Sequence, residues 1–411
     1  MKHVISLVLL LRALVSPGAW AQEPLAAVPE PFQRFNPASP LAISYGDLDV
    51  LLKTMVVDVG RSNRDKADPT QAKVGTRMKM SVNRSTISEG NRFYFEEFKG
   101  NEDNQKMLLS MRSSLEQIPS EVPLEYLSRS EQLAYWLNLY NVTLLSEIVK
   151  VYPQRSLKKL LTGRNSILAQ KLLTVAGIPL SLNDIQYTIL KQNYANDPLI
   201  MYGLYQGIIG GPNIRKSAYT GVNVSRLLEQ NAVEFVNSNR GTYAESDDVF
   251  RVSSLYGRNA AYFGDFDAEV TDHLLKYIEG DERARLLANP RIKPNIEDWT
   301  VTDVYGTYRD IGASSSTSSA ALLDAVQNVF GGGEGGNVAT SGNLSAAASQ
   351  VQAKSPVLDR FSPEMLDYLH EIKAKQAETN LSKGTVTVEE LGTAEEQKQQ
   401  QERDPESDRD Q

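Results

Sequence analysis

The side chains able to do chemistry are few in this chain, and each tests a reaction class. Among 411 residues there is no cysteine, and there are three histidines, His3, His273 and His370. The missing thiols remove disulfides, zinc ribbons, iron–sulfur clusters and thiolate nucleophiles together. A serine nucleophile needs a base within reach, usually histidine. His273 sits in DAEVTDHLLKYI, a helical stretch in which Val270, Leu274 and Ile278 face the core. It therefore reads as a surface or boundary histidine and not as a base. His370 lies beyond a low-complexity segment. There is no G-x-S-x-G elbow, and no S-x-x-K is set against a supporting motif. Metal chemistry has as little to stand on, since no H-E-x-x-H occurs. Asp265-x-Asp267-x-Glu269 opens like a calcium loop but lacks the sixth-position glycine and the twelfth-position glutamate. At helical spacing those acids form a solvated face and a favourable helix N-terminus. The segment Gly207–Pro212, GIIGGP, lacks the Lys-Ser/Thr of a phosphate loop and reads as a tight turn whose glycines permit positive φ. No catalytic residue, no metal ligand and no cofactor is expected.

Two carboxylates and two amides remain. Glu131 and Asp184 are the type of group a hydrolase of peptides or cell-wall glycans would use, and sequence does not give separations across a fold. Asn138 and Asn141 lie three apart on a helix that is otherwise apolar on nearly every face. A buried amide without hydrogen bonds costs about 1–3 kcal/mol. These two either tie the helix to neighbouring backbone or line a cleft.

The elements that must hold these groups can be read from periodicity and caps. The clearest helix begins at Ser128, where Ser128-x-x-Glu131 makes a capping box, and it stops before Pro153. Being apolar nearly all round, it is expected at the centre of the core. Stripes at Leu48–Val56 and Met107–Ile118 predict two earlier helices. Lys171–Val175 and Ile178–Leu180, separated by Ala176-Gly177, read as a small hairpin. A second capped helix is expected from Ser181 to about Gln192, further helices at 222–238 and 265–279, and a strand near Val249–Val252. The fold class is α+β: one helix-rich globular domain over 45–308 with a small hairpin or sheet.

The flanks differ from this domain. Residues 1–21 have a basic start, the apolar run Val4 to Leu11 and a small-residue ending at Ala19-Trp20-Ala21. That pattern is a secretory signal peptide, cleaved before Gln22, and it places the mature protein in the periplasm or outside the cell. Residues 22–44 are Pro- and Ala-rich and expected to be extended. Residues 309–361 are a Gly/Ser/Ala-rich linker, a helix is expected at 362–378, and 379–411 is an acidic tail. The last thirty residues hold nine acids against four bases, too much charge for the apolar surface available to fold alone. Over the whole chain 43 basic residues face 51 acidic ones, which offers no electrostatic attraction to nucleic acid. No segment reaches the ~18 apolar residues of a membrane-spanning helix.

Several segments share one resemblance. LSRSEQLAYWLNLYN (127–141), IPLSLNDIQYTIL (178–190), DPLIMYGLYQGIIGGPNI (197–214), SAYTG (217–221) and EDWTVT (297–302) follow in the order of the domain of unknown function 547 family. The chain resembles that family over roughly 118–302, and E-Q-L-A-Y-W-x-N-L-Y-N is the specific segment. The resemblance implies a Glu-His pair where this chain has Gln186-Tyr187, and a histidine where it has Met201. It implies cysteines of a C-x-x-x-x-C-P stretch where this chain has Gln206 and Gly211. An S-x-x-F-x-W-Y stretch is replaced by SLYGRNA at 254–260. Cys and His on adjacent segments can activate a thiolate in a papain- or transglutaminase-like way. Gln and Met cannot act as acid, base or thiolate, so no such mechanism operates here.

The framework matches meanwhile persist at Glu131, Trp136, Asn138, Tyr140, Asn141, Asp184, Asp197, Pro212, Tyr219 and Trp299. A retained frame around emptied polar positions is what a binding-only descendant would have; a structural role for those positions, followed by drift, would leave the same trace. The leading expectation is an exported, non-catalytic module with a cleft formed from Glu131, Asn138, Asn141, Gln186, Tyr187, Met201, Gln206 and Gly211. Its partner would be an envelope protein, a peptide or a cell-wall fragment. The alternatives are a carboxylate-based hydrolase and a purely structural envelope protein.

Overall fold

The structure is a computed structural model that describes residues 27–64, 86, 89–195, 197–288, 290–304 and 360–382. The expected signal peptide, nearly all of the expected linker and most of the acidic tail lie outside the described residues. Among the described residues no helix is long and apolar enough to cross a membrane. Two compact units divide at Phe361–Ser362.

In the first unit the α+β expectation holds, with helices predominating and sheets of two or three strands. At its centre is the helix Arg129–Val151, here α3, after α1 (Gly46–Met55) and α2 (Glu102–Glu121). Eighteen of its side chains, from Glu131 to Val149, are buried. Such a helix has no solvent face to spare for polar residues, so each polar group it carries must find a partner inside. α2 and α6 (Val224–Val236) pack against it. Arg112 of α2 is clamped between Glu116 at 2.9 Å and Glu147 of α3 at 3.1 Å, and it also donates to the Leu172 carbonyl. One guanidinium thereby joins α2, α3 and the strand that follows.

Of the Pro/Ala-rich segment expected to be extended, the described residues 27–44 are docked. It contains a 3-10 turn at Glu30–Phe32, and Phe32 packs edge-on against Trp136 with ring centroids 5.0 Å apart. Gln132 donates to the Arg34 carbonyl and Asn36 N–H to the Leu127 carbonyl, so α3 and the turn just before it supply the polar ends for this strap.

The hairpin appears as β3 (Leu173–Val175) and β4 (Ile178–Leu180), after the short pair β1 (Val56–Val57) and β2 (Arg92–Phe93). Ala176 and Gly177 carry the positive φ values of its turn. The helix beyond is capped as expected, by a reciprocal box: Ser181 N–H donates to Asp184 at 2.6 Å and Asp184 N–H to Ser181 Oγ at 3.1 Å. Its middle, Asp184–Leu190, is wound as a π-helix before α5 (Lys191–Asn193). Such widened turns recur at functional sites.

The expected strand near Val249 is the middle of a three-stranded sheet, β5 (Thr242–Ser246), β6 (Val249–Ser253) and β7 (Arg291–Ile296). β5–β6 is antiparallel and β6–β7 parallel. A parallel neighbour needs a long crossover. Here it is the segment carrying α7 (Ser254–Arg258), α8 (Phe266–Leu275) and α9 (Gly280–Leu287). Phe250, Val252, Tyr256, Val270 and Leu274 pack with Phe235 and Ala232 of α6 in one cluster.

The second unit contains a helix at Pro363–Ser382, α10, four residues longer at its C-terminal end than expected, with an ion pair between Lys375 and Glu371 at 2.6 Å.

Candidate functional site

The polar residues of α3 explain how the site is held. Ser128 caps the helix by accepting from Glu131 N–H at 3.2 Å. The second half of the expected capping box is absent, because the Glu131 carboxylate turns elsewhere. One oxygen accepts from Ile43 N–H at 2.9 Å and the other from Gly221 N–H at 2.8 Å. Those two amides belong to segments remote in sequence, and a carboxylate with two acceptor oxygens serves both. Burial nevertheless pushes the Glu131 carboxyl above its usual pKa, against the two amide bonds that lower it.

Asn138 donates to the Tyr219 carbonyl at 2.7 Å and accepts from Tyr219 N–H at 3.0 Å. Asn141 does the same one turn on, donating to the Gly203 carbonyl at 3.0 Å and accepting from Tyr205 N–H at 2.9 Å. Each amide therefore pairs with chain as a neighbouring strand would. Of the two readings open in the sequence, the tie to backbone is the one these contacts describe.

Asn141 thus anchors the chain just before Gln206. From there residues 208–210 run against 298–301: Ile209 N–H donates to the Thr300 carbonyl at 2.8 Å and Gly210 N–H to the Asp298 carbonyl at 2.9 Å. The glycines of this turn act differently from one another. Only Gly207 has positive φ, at 69°. Gly210 is needed for closeness instead, since a Cβ there would lie 2.6 Å from the Asp298 backbone nitrogen.

This pairing carries Trp299 to a group of polar side chains. Arg258, at the end of α7, donates to Gln206 Oε1 at 2.9 Å and to Ser254 Oγ at 2.7 Å. Its guanidinium also lies 5.4 Å from the centroid of the Trp299 ring. Lys158 in α4 (Lys158–Leu161) lies 5.6 Å from the same ring. Glu297 accepts from the indole N–H at 2.9 Å and from Lys158 at 3.3 Å, and these contacts hold its carboxyl below the usual range. Tyr187, at the π-turn, has its pKa raised by burial and partly lowered again by the Arg258 charge beside it. Next to Arg258, Asn259 accepts from Gln186 Nε2 at 3.1 Å. Gln186 and Asn259 occupy the glutamate of the Glu-His pair and the tryptophan of S-x-x-F-x-W-Y in the resemblance, so the two exchanged positions bond to each other.

The eight expected cleft residues are distributed among three places. Gln186, Tyr187 and Gln206 gather around Arg258 and Asn259, with Gly211 against Gln206. Asn141 supports that group from behind. Glu131 and Asn138 hold the Tyr219–Gly221 turn, and Met201 is 1% exposed within the α6–β6–α8 core. Of the two carboxylates considered for hydrolysis, Asp184 accepts from Ser181 and Lys171, which outweigh burial and lower its pKa, and Glu131 is occupied as described.

His273 corrects the surface reading. It is 4% exposed, its Nε2 is 2.8 Å from the Tyr202 hydroxyl, and its ring stacks on Tyr202 at 5.7 Å. Phe263 and Tyr277 close the other sides, a cage whose members come from three segments. Burial lowers its pKa to about 4, so the imidazole is neutral at pH 7.

Arg258, Lys158 and Glu297 were not nominated from sequence. Arg258 had one signal, its place in SLYGRNA. Glu297 had one too, its place in EDWTVT, whereas Lys158 had none, because only the fold brings α4 to that tryptophan.

The model of the family described as Protein of unknown function, DUF547, matches residues 124–236. That span runs from the turn before α3 to the end of α6 and stops short of α7 and Trp299. No curated protein and no solved structure matches the chain.

Proposed function

We propose a function from one premise, that this is a DUF547 domain-containing protein. Its domain works as a non-catalytic binding module of the cell envelope, reached after export, and it offers the surface around Arg258 and Trp299 to another protein, a peptide or a cell-wall fragment. The reading is carried by the exchanged positions. Gln186 is hydrogen-bonded to Asn259 and Gln206 to Arg258. Neither amide can take up or release a proton near neutral pH, so these two positions offer hydrogen-bonding capacity without a base or nucleophile. What it presents is an indole face with a guanidinium and an ammonium beside it, a combination suited to holding carboxylate, sugar or aromatic groups.

The test uses residues 22–411, immobilised and exposed to an extract of the cell envelope, with mass spectrometry of both retained and altered molecules. The expected result is a saturable partner, recovered unchanged, whose retention falls at least tenfold with Arg258→Ala or Trp299→Ala. A product that accumulates with time would overturn the proposal. So would undiminished retention by both variants. Recovery of a chain beginning at Gln22 from the periplasmic or secreted fraction is expected; a cytoplasmic chain retaining residues 1–21 would overturn export.

A further inference from the structure

Charge is unevenly placed along the domain. Between Glu147 and Asp184 no acid occurs, while Lys150, Arg155, Lys158, Lys159, Arg164 and Lys171 supply six cations, in a chain where acids outnumber bases by 51 to 43. Lys150 and Lys171 are spent on the acids that bound the stretch, Glu147 and Asp184, each at 2.6 Å. The other four fall within the ten residues 155–164, around the single turn of α4.

Their shared exposure has a plain cause. Leu157 and Leu161, one helical turn apart and 0% and 7% exposed, seat α4 on the core. Ser166 closes the loop behind it by donating to the Leu161 carbonyl at 2.8 Å. Arg155, Lys158, Lys159 and Arg164 lie between or beside these anchors, and all four are exposed. Lys158 leans on Glu297 and Trp299. Lys159 and Arg164 have no hydrogen-bond or ion-pair partner among the described residues.

Three features select the partner. Consecutive helical residues project about 100° apart, so Lys158 and Lys159 do not converge on one small anion. The patch suits a surface that carries many anionic groups. None of the large apolar side chains exposed in the described residues falls between Glu147 and Asp184, which leaves attraction between charges and not apolar docking. A linear polyanion is tracked along a groove. Ten consecutive residues around one helical turn give a compact footprint instead, which meets several headgroups of an anionic bilayer at once.

We propose that residues 155–164 rest on the anionic phospholipid headgroups of a membrane surface, held by Coulomb attraction without insertion. The inference goes beyond the function proposed for the Arg258–Trp299 surface and does not depend on it, since Lys159 and Arg164 take no part in that group.

The test is co-sedimentation with vesicles of phosphatidylcholine alone or of equal parts phosphatidylcholine and phosphatidylglycerol. It uses the chain from Gln22 on, so that the apolar run Val4 to Leu11 adds nothing to lipid affinity. Anionic vesicles are expected to retain the protein saturably at about 0.05 M salt and at least tenfold more weakly at about 0.5 M. Phosphatidylcholine alone should retain none. Each cation near an anionic bilayer contributes about fivefold in affinity, so Lys159→Gln with Arg164→Gln should weaken retention at least tenfold. Both side chains are exposed and unpaired, and folding is unaffected. Lys53→Gln with Lys276→Gln removes the same charge from other exposed positions and should leave retention nearly unchanged. No retention by anionic vesicles would overturn the proposal, as would equal retention by both vesicle types or equal losses in the two double variants. Patch-dependent capture of dextran sulfate without vesicle binding would assign the patch to a soluble polyanion and overturn it too. Trp299→Ala should bind vesicles like wild type; loss there would place the lipid on the other surface and sink the assignment to 155–164.

Discussion

Gln206 and Gly211 meet across the turn they bracket: a Cβ placed on Gly211 lies 3.1 Å from the Cβ of Gln206. Disulfide-bonded cysteines have Cβ atoms about 3.5–4.5 Å apart, so a shift of a few tenths of an ångström would admit a bridge. Gly211 is not in the left-handed region, and its backbone accepts a side chain. Cysteines at these two positions are therefore placed to bond each other, which would give the C-x-x-x-x-C spacing implied by the resemblance a structural use. The double variant Gln206→Cys/Gly211→Cys is expected to oxidise spontaneously in air and to gain at most about 2 kcal/mol from closing so short a loop. Because the chain has no other cysteine, thiol titration reads the result directly. Two free thiols after oxidation would contradict the placement.

Asn138 and Asn141 each complete two hydrogen bonds to one stretch of backbone. Alanine at Asn138 leaves the Tyr219 N–H and carbonyl without partners in the interior, at a cost of about 2–4 kcal/mol. Asn141 is half-buried, so water can replace part of its pairing, and alanine there should cost roughly half as much. Urea denaturation of both variants checks the order. Equal losses would mean that Asn141 is as dry as Asn138.

These ties were legible because a polar residue on an all-apolar helix has few explanations. Ser128 and Pro153 likewise bracket α3 in plain view, and Ala176-Gly177 marks the hairpin. Other features lacked a local signal. The π-helical winding of Asp184–Leu190 leaves the same residues apolar as an ordinary helix would. The partner of β6 lies some forty residues downstream, in a strand interrupted by Pro294. His273 shares the α8 stripe with Val270 and Leu274, but its burial depends on Tyr202 and Phe263, which no spacing within α8 reveals. The site around Trp299 was half legible: its amides stood out by departing from the resemblance, while its cations come together only through tertiary pairing.

His273 makes stability depend on pH. Its pKa falls from 6.5 to about 4 in the folded chain because burial disfavours the imidazolium. Below about pH 6.5 the unfolded chain binds a proton that the folded chain refuses, so stability is full above that pH and declines as pH falls towards 4. The decline approaches about 1.4 kcal/mol per pH unit, roughly 3 kcal/mol across the window. Denaturation of wild type and His273→Phe between pH 7.5 and 4.5 isolates this share, since other titrating groups are common to both. Parallel curves would mean that the imidazole is protonated in the folded state without penalty.

Glu131 and Gly221 are coupled more tightly than their separation in sequence suggests. The Gly221 N–H donates to Glu131 Oε2 at 2.8 Å, and a Cβ on Gly221 would stand 2.3 Å from that same oxygen. Alanine at 221 must therefore displace the carboxylate, which also releases the Ile43 N–H. Glutamine at 131 puts an NH₂ donor against one of two amide donors, with the same consequence for one bond. Each single change is expected to cost about 2–3 kcal/mol, as for a buried hydrogen bond to a charged group. Once the carboxylate has been displaced, the second change has less left to remove. The double variant should then fall short of the sum by at least about 1 kcal/mol. Denaturant midpoints of the four proteins in the cycle give the coupling, and strict additivity would show that the chain at 221 moves aside without disturbing Glu131.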